Sequence, residues 1–329
     1  MRLDIKAAGV GHFRRRQLLW AAAATCWSPV VVHAQPKVLR IVAPFPPGGS
    51  TDILARTLAD KLAPALGQTV AVENKAGANG AIGTESVIWA VPDGHTLLVT
   101  TNAGITINPL LYKKMVNPME GLAPLVQLVE LELVLAVRAD SPVRSIKDFV
   151  EHAKRQPGGL TFASVGPGSL SHLAGESFAM ASGAPLVHVP YKGAAPALTD
   201  LLSGQVDAYF GTPPTFVQHV KTGKLRVLAT TAAVASNAFP GLPRVADTYR
   251  GFEVVGWQGL FAPIGTPQAV CDRLAKESIA ALADETVRGK LEDQGMRVTT
   301  RPAAELADII RRERDIWARV VERAKISLD

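Results

Sequence analysis

The chain has 329 residues, 47% of them hydrophobic and 19% charged, and a formal net charge of +6 at pH 7. Its first 34 residues hold five Lys and Arg residues against one acidic residue, so they account for four of these six charges. The rest of the chain is close to neutral and has no uncharged apolar run of about eighteen residues, which argues against nucleic acid as a partner and against a transmembrane helix.

Residues 1–34 have the pattern of an export signal. Three arginines at 14–16 precede an apolar run at 18–24, and small residues around Ala34 suit signal cleavage. The Arg15-Arg16 pair also resembles a twin-arginine signal, so the sequence leaves the Sec and twin-arginine routes open. We expect cleavage after Ala34 and an exported protein with enough chain for two lobes.

The first third of the remaining chain alternates predicted strands and helices. A helix that starts at Ser50 or Thr51 has leucines at every fourth position and ends at Gly67. The other predicted elements are strands at 38–43, 70–73 and 97–100 and a helix at 81–90. This β-α-β-α-β order predicts a parallel sheet with helices on its faces.

The middle of the chain repeats the alternation and predicts a second α/β unit. Its predicted strands are 133–137, 160–163, 186–189, 206–210 and 225–229, and its predicted helices are 146–155, 170–180, 197–202 and 216–221.

The last part of the chain is expected to return to the first unit. It contains an extended segment at 252–262 and helical segments at 267–295 and 302–324, with no further sheet for these helices to cover. Two crossings, near 131–137 and 251–258, would then form a two-strand hinge. The sequence therefore predicts a two-lobed α/β protein with a cleft between the lobes.

We assign residues 35–133 plus 256–329 to the first lobe and 134–255 to the second. Loops rich in glycine and small polar residues follow the predicted strands of both lobes. Ligands bind beyond the carboxyl ends of parallel strands, so these loops are expected to face one cleft. They read "PFPPGGST", "NKAGANG" and "TTNAG" in the first lobe, and "SVGPGSLSH", "PYKGAAP" and "FGTPPT" in the second.

The first of these loops is a candidate anion site. Gly48 and Gly49 allow close approach of the backbone, and the N–H groups that follow Ser50 at the helix start point toward any anion there. No P-loop lysine follows the glycines, which favours a carboxylate over a nucleotide. The alternative is a tight turn and a capped helix, in which Asp52 complements the helix dipole.

Polar residues of the second lobe have both a ligand-binding and a structural interpretation. Ser164 and Ser169 either face an anion or, for Ser169, cap a helix. His172 lies one turn into that helix and either faces the cleft or packs. Lys192 supplies a charge for an anion or is a solvated loop lysine, and Asp207 contacts a ligand donor or anchors neighbouring amides.

Motifs for catalysis are absent from the sequence. There is no G-x-S-x-G or H-E-x-x-H motif, and the histidines after residue 34 lack the spacing of metal ligands. We predict no catalytic residue, no metal and no cofactor. Of two cysteines, Cys26 lies in the signal, and Cys271 is interpreted as a packed thiol.

An ordered set of stretches resembles the substrate-binding proteins of tripartite tricarboxylate transporters, also called the Bug family. The resemblance implies a type II periplasmic binding protein of the Venus flytrap type, with a sheet of parallel type in each lobe and a two-strand hinge. The stretches are "PFPPGGSTDILAR", "GQTVAVENKAGANGAIGTE", "PDGHTLL", "NPLLY", "VPYKGAAPALTDLLSGQVDAYF" and "GKLRVLA".

The resemblance also implies a periplasmic monomer that binds a small organic acid and docks transiently on membrane transporter subunits. Some family members are thought to serve sensing, so a sensor for a membrane kinase and a periplasmic enzyme acting on an organic acid remain alternatives. By position, the implied ligand-binding residues are Phe45, Gly48, Gly49, Ser50 and Asn79, followed by Thr101, Ser164, Ser169, His172, Lys192 and Asp207.

The chain departs from the family pattern at three positions. His95 stands where a tyrosine is usual, Lys75 where an arginine is commoner and Asn79 where a glycine is commoner. Because Asn79 lies in an implied contact loop, it is expected to affect ligand choice.

Overall fold

A computed structural model describes residues 38–112 and 115–326. The predicted export signal, residues 1–34, lies outside these residues. Among the helices of the described part, none is both long and apolar enough to cross a bilayer.

Within the described residues, the strands fall into two sheets. The strands of the first sheet are β1 (Leu39–Ala43), β2 (Val70–Asn74), β3 (Thr96–Thr101), β4 (Leu122–Glu132), β10 (Val255–Pro263) and β11 (Met296–Pro302). Those of the second sheet are β5 (Val134–Arg138), β6 (Leu160–Ser164), β7 (Leu186–Pro190), β8 (Ala208–Gly211) and β9 (Leu225–Thr230).

The strand orders are β11-β4-β10-β3-β1-β2 and β7-β6-β8-β5-β9. Strand β1 runs parallel to β2 and β3, and β6 runs parallel to β7 and β8. Strands β10, β11 and β5 pair with their neighbours in the antiparallel sense. Each sheet is therefore mixed, with three parallel strands to one side of its antiparallel members.

Helices of the first lobe, defined by the first sheet, are α1 (Ser50–Leu66), α2 (Ala81–Ile88), α3 (Asn108–Leu111), α4 (Pro118–Gly121), α10 (Gln268–Ala283), α11 (Glu285–Asp293) and α12 (Ala303–Arg323). Those of the second lobe, defined by the second sheet, are α5 (Ile146–Arg155), α6 (Leu170–Ser182), α7 (Ala194–Ser203), α8 (Pro213–Lys221) and α9 (Val245–Thr248). A 3-10 turn at Ala78–Gly80 precedes α2, and a π turn at Ala103–Ile107 follows β3.

Helix α1 has the buried leucine face and the terminal glycine that the sequence pattern predicted. Leu54, Leu58 and Leu62 are fully buried, because residues four apart share one face of a helix. Gly67 ends the helix in the left-handed conformation, with φ of 66°. Cys271 packs beneath the same sheet with its thiol buried, as predicted, and burial raises the pKa of that thiol.

Strands β4 and β11 were not predicted from the sequence. Polar residues interrupt the apolar run of β4, and Glu130 in particular argues against a buried strand. In the structure, ion pairs with Arg297 and Arg301 on the neighbouring β11 offset the free-energy cost of burying the Glu130 carboxylate. Burial raises the pKa of Glu130, but the two arginines outweigh burial and leave it lowered.

The C-terminal helix α12 contacts elements of both lobes. It packs against β4, and its Trp317, Val320 and Val321 join the core that surrounds Phe149 and Phe178 of the second lobe. Strand β11 pairs with β4 of the first sheet and α10 contacts the same sheet, while α12 also contacts α6 of the second lobe.

The chain crosses from the first sheet to the second at Leu133 and returns to the first near Val254. The Thr231 hydroxyl donates to the carbonyl of Val254 at 2.6 Å and accepts from the N–H of Leu133 at 3.2 Å. Backbone bonds join the same residues, since Thr231 N donates to Leu133 O and Val254 N donates to Thr231 O. This buried residue ties the two crossings together where a hinge was predicted.

Candidate ligand-binding cleft

A cavity of about 250 Å³ lies where loops from both sheets face each other. Its lining from the first lobe is Phe45, Ser50, Asn79, Thr101, Asn102 and Ala103. From the second lobe come Val165, Ser169, Leu170, Ser171, Ala194, Tyr209, Gly211 and Thr212, and from the crossing strands come Leu131, Leu133, Gly256, Trp257 and Gln258.

The start of helix α1 forms one end of the cavity. Gly48 has φ of 84°, a conformation that favours glycine, and its N–H donates to Asp52 Oδ2 at 2.9 Å. Ser50 begins the helix, and its hydroxyl accepts a hydrogen bond from Gln258 Nε2 at 2.8 Å. The first N–H groups of a helix have no partner within it, so they are available to an anion beside Ser50.

Asp52 stabilises this loop through hydrogen bonds. Its buried carboxylate accepts hydrogen bonds from Gly48, from Arg56 at 3.0 Å and from the Asn74 side chain at 3.0 Å. The Arg56 hydrogen bond is the largest cause that lowers the pKa of Asp52, which burial alone would raise. These contacts agree with the structural interpretation of Asp52.

Asn79 occupies a left-handed position in the cavity wall, with φ of 50°. Its side-chain amide donates to Asn108 Oδ1 at 2.9 Å, and the Asn108 amide donates back to Asn79 O at 2.9 Å. A glycine at this position would need no such support at positive φ. Asn79 therefore stabilises the loop through Asn108 while it lines the cavity.

Ser169 lines the cavity from the second lobe and caps α6. Its hydroxyl accepts from His172 N at 3.3 Å and donates to Gly166 O at 2.6 Å. The neighbouring Ser171 hydroxyl accepts from Val165 N at 3.0 Å. These bonds shape the loop, so the capping interpretation of Ser169 and its position in the cavity are compatible.

Ser164 and His172 lie behind this loop and do not line the cavity. The Ser164 hydroxyl is 2.6 Å from His188 Nε2, and the His172 and His188 rings stack with centroids 3.6 Å apart. His172 Nδ1 accepts from Gly168 N at 3.2 Å. Burial, and then the nearby His172, lower the pKa of His188 to about 4.

Ser164 and His188 thus resemble a nucleophile and its base, but they lack access to substrate. Ser164 is fully buried, and neither residue lines the cavity. A catalytic pair must lie within reach of a bound substrate. The arrangement therefore supports the packing interpretation of His172.

Gly48, Gly49, Lys192 and Asp207 are also absent from the cavity lining. The glycines lie directly before Ser50, and Lys192 is exposed on its loop. Asp207 accepts from the N–H and the hydroxyl of Thr161 at 2.8 and 2.7 Å. It precedes β8, whereas the cavity lies beyond the other end of that strand at Gly211 and Thr212, so the geometry favours the anchoring interpretation of Asp207.

Five of the eleven candidate residues therefore come together in the cavity: Phe45, Ser50, Asn79, Thr101 and Ser169. Ligand contact by any of the eleven stays a prediction. Sequence analysis missed the lining residues of the crossing strand β10, Trp257 and Gln258. A lone amide in the apolar stretch "GWQGLFA" was the available signal, because an unpaired polar group is costly in a buried strand.

Among the described residues, the cavity lining contains no charged side chain. A carboxylate there would be bound by hydroxyls, amides and helix N–H groups instead of by a salt bridge.

The sequence profile of the Tripartite tricarboxylate transporter family receptor matches residues 54–326. The chain belongs to this family. Among the relatives of this receptor is BugT of Bordetella pertussis, which is 33% identical over 317 residues, covering 94% of this chain and 96% of BugT. The resemblance to the Bug family is therefore confirmed.

Solved structures share the fold of this family receptor. The periplasmic binding protein BugD has a TM-score of 0.73 at 35% identity, covering 88% of this chain and 98% of BugD. An R. palustris protein with adipate has a TM-score of 0.78 at 29% identity, covering 89% and 99%. MatC from Rhodopseudomonas palustris with bound malate has a TM-score of 0.72 at 31% identity, covering 86% and 98%.

These structures confirm the predicted fold class, a two-lobed α/β periplasmic binding protein. BugD is a periplasmic binding protein, and two of the named structures contain small carboxylates, adipate and malate.

Proposed function

We propose that this chain is a periplasmic solute-binding protein that captures a small carboxylate in the cleft and delivers it to a tripartite tricarboxylate-type transporter. The observation that carries the proposal is the cavity between the two sheets, in which Ser50 and the N–H groups of α1 form one end. The adipate and malate in the related structures support a carboxylate as the ligand.

Capture works by closure of the two lobes about the crossings at Leu133 and Val254. We propose lobes of residues 35–133 plus 256–329 and of residues 134–255. Closure follows ligand binding only when the ligand has a higher affinity for the closed form. A carboxylate that contacts α1 and the second-lobe loops at once meets this requirement, because only the closed form offers both sets of contacts.

The hydrogen bonds available are sufficient for useful affinity. A hydrogen bond to a charged group contributes about 1.5 to 3 kcal/mol, and micromolar binding requires about 8 kcal/mol. Three or four bonds from the Ser50 hydroxyl and the α1 amides therefore account for micromolar binding without a salt bridge.

The first experiment is a thermal-shift screen of the exported chain with mono-, di- and tricarboxylates, followed by titration calorimetry. A ligand at about one hundred times its Kd adds about 2.7 kcal/mol of stability, so a true ligand raises the Tm. Failure of every carboxylate in a broad panel to raise the Tm contradicts the proposal.

Replacement of Ser50 tests the site itself. We expect Ser50→Ala to weaken binding of the best acid at least about tenfold, because one hydrogen bond to a charged group is lost. Ser203→Ala is the matched control, since Ser203 is exposed at the end of α7 and bonds to Asp200 O. An unchanged Kd in Ser50→Ala would show that the Ser50 hydroxyl does not bind the acid.

Delivery is tested in cells. Loss of uptake of the bound acid when the gene is deleted, restored by the wild-type chain, supports delivery to a transporter. Normal uptake together with a lost transcriptional response to the acid supports the sensor alternative.

A further inference from the structure

Three side chains on one side of the cavity form a contiguous group, which we call the polar wall: Ser50, Thr101 and Gln258. Gln258 on β10 pairs directly opposite Thr101 on β3, and side chains of such cross-strand pairs share one face of the sheet. Gln258 Nε2 donates to Ser50 Oγ at 2.8 Å. The wall therefore joins the start of α1 to the crossing strand β10.

The polar wall has unused hydrogen-bonding capacity. Gln258 Oε1 and Thr101 Oγ1 are buried without a hydrogen-bond partner within the described residues. Because the Ser50 hydroxyl accepts from Gln258, its own proton remains free to donate. Buried polar atoms are rarely left unpaired in proteins, so a ligand that pairs with this wall is favoured.

Four other polar side chains around the cavity form hydrogen bonds within the protein. The bonds are Asn79 to Asn108, Ser169 to Gly166, Ser171 to Val165 and Thr212 to Thr215. Most of the remaining lining is apolar, with Leu131, Leu133, Leu170 and Trp257 among its members. Among the described residues, the Tyr209 hydroxyl on the second-lobe side also has no hydrogen-bond partner, so free hydrogen-bonding capacity is concentrated at the polar wall but not exclusive to it.

The chemistry of the wall specifies the polar end of a ligand. The Ser50 and Thr101 hydroxyls can donate to a carboxylate, whereas Gln258 Oε1 can only accept and so requires a ligand donor. Oε1 and Nε2 belong to the same amide group of Gln258, and Nε2 donates a hydrogen bond to Ser50 Oγ. The donor of the ligand must therefore lie next to its carboxylate, as the hydroxyl of an α-hydroxy acid does.

The rest of the cavity specifies the body of the ligand. The part of the chain that the structure describes places no charged side chain in the lining, and burial of a second or third carboxylate without a partner is costly. The apolar side chains of the lining favour an apolar body.

We propose that the cavity selects an α-hydroxy monocarboxylate with an apolar body, and that Gln258 is the residue that recognises its hydroxyl. The inference rests on the proposed function, since it assumes that the cleft binds a carboxylate.

Mandelate and phenylacetate test the hydroxyl, because they differ only by the hydroxyl beside the carboxylate. In calorimetry with the exported chain, we expect mandelate to bind about tenfold tighter, the effect of one further hydrogen bond to a buried acceptor. Malate and citrate carry the hydroxyl with one or two more carboxylates, and we expect both to bind more weakly than mandelate.

Variants separate recognition from a structural role of Gln258. Gln258→Leu is expected to bring the affinity ratio of mandelate to phenylacetate close to one, and Gln258→Met, which keeps the chain length, is expected to do the same. Thr101→Val is the matched control, because it removes a donor to the carboxylate and so weakens both acids while the ratio stays near ten.

Equal affinities of the wild type for mandelate and phenylacetate overturn the inference, and so does a ratio that persists in both Gln258 variants. Tighter binding of malate or citrate than of mandelate overturns the monocarboxylate assignment. Each of these results leaves the proposed function standing, because an acid still binds. If no carboxylate binds, both fail.

Discussion

At the scale of single residues, the surroundings of Glu313, behind the cleft, strongly shift its pKa. Its carboxylate accepts from Trp257 Nε1 at 2.8 Å, from the Thr106 hydroxyl at 3.1 Å and from Trp317 Nε1 at 3.4 Å. Burial raises the pKa of Glu313 to about 7, although these hydrogen bonds favour the charged form. Since Trp257 lines the cavity, Glu313 supports the cavity from the α12 side.

The raised pKa of Glu313 predicts a pH-dependent stability. A carboxyl whose pKa is higher in the folded than in the unfolded state stabilises the fold fully below the unfolded pKa of 4.5, and this contribution is lost as pH rises through about 7. Across this window we expect Glu313 to account for a decrease of about 2 to 3 kcal/mol in the free energy of unfolding.

Glu313→Gln stays neutral, so its stability is expected to lack this pH dependence. At pH 8 we expect it to unfold at a higher urea concentration than the wild type. Urea denaturation of both chains at pH 5 and 8 measures the difference. Parallel pH profiles for the two chains would show that Glu313 does not titrate in this range.

Predictions for single residues succeeded where local geometry decides the position. Ser50 starts a helix after two glycines, and any such helix start lies at the carboxyl end of its strand. The position of His172 depended on a neighbour far away in the sequence, His188, whose ring stacks on it from β7. Local sequence carries no information about such a contact, so the histidine's two interpretations could be separated only in the structure.

At the scale of elements, the loop between β1 and α1 is held by hydrogen bonds centred on Asp52. Asp52 connects this loop to β2 through Asn74, whose side chain also donates to Phe45 O at 3.1 Å. A carboxylate in the first turn of α1 thus holds the shape of the loop that presents Ser50.

Asp52→Asn is expected to lower the free energy of unfolding by about 1 to 3 kcal/mol at pH 7, because charged hydrogen bonds to Arg56 and Gly48 are lost. The pKa of Asp52 is lowered in the folded state, so this stability is present above the unfolded pKa of 3.8 and is lost as pH falls through the folded value. The two chains should therefore converge in stability toward strong acid.

Asp60→Asn provides the matched control, since Asp60 is exposed on the same helix and exposed substitutions usually change stability by less than about 0.5 kcal/mol. Thermal denaturation of the three chains between pH 2 and 7 measures the effect. An Asp52→Asn chain as stable as the control would contradict the anchoring role.

At this scale the sequence predicted most helices and parallel strands but missed β4 and β11. The missed strands lie at the antiparallel end of the first sheet, and β4 carries the acidic Glu130. Periodicity is a local property, whereas the partners that make Glu130 tolerable, Arg297 and Arg301, are about 170 positions later in the chain. Long-range pairing of this kind leaves no local pattern.

At the scale of the whole molecule, Thr231 is the residue that joins the two crossings. Its hydroxyl is fully buried and connects Leu133 to Val254. In closure about these segments, the strength of this connection affects both the stability of the fold and the equilibrium between open and closed forms. A change in the fraction of protein that can bind ligand then changes the apparent affinity.

Thr231→Val preserves the shape of the side chain and removes its hydroxyl. We expect a loss of about 1 to 3 kcal/mol in the free energy of unfolding, since Val254 O and Leu133 N lose a buried partner, together with weaker binding of the acid found in the screen. Thr199→Val, on an exposed face of α7, is the control. Unchanged stability and Kd in Thr231→Val would rule out this residue as a hinge connection.

The sequence by itself determined the two-lobed α/β class, the strand-glycine-helix loop at Ser50 and the expectation of a carboxylate, because each of these depends on local periodicity, local turn chemistry or the family pattern. Only the tertiary structure decided which candidates share a cavity. It placed Asp207 at the opposite end of its strand from the cavity and His172 behind the loop, and it brought Gln258 against Ser50, a residue 208 positions earlier. Such contacts arise from the way the sheets are assembled, which neighbouring residues in the chain do not specify.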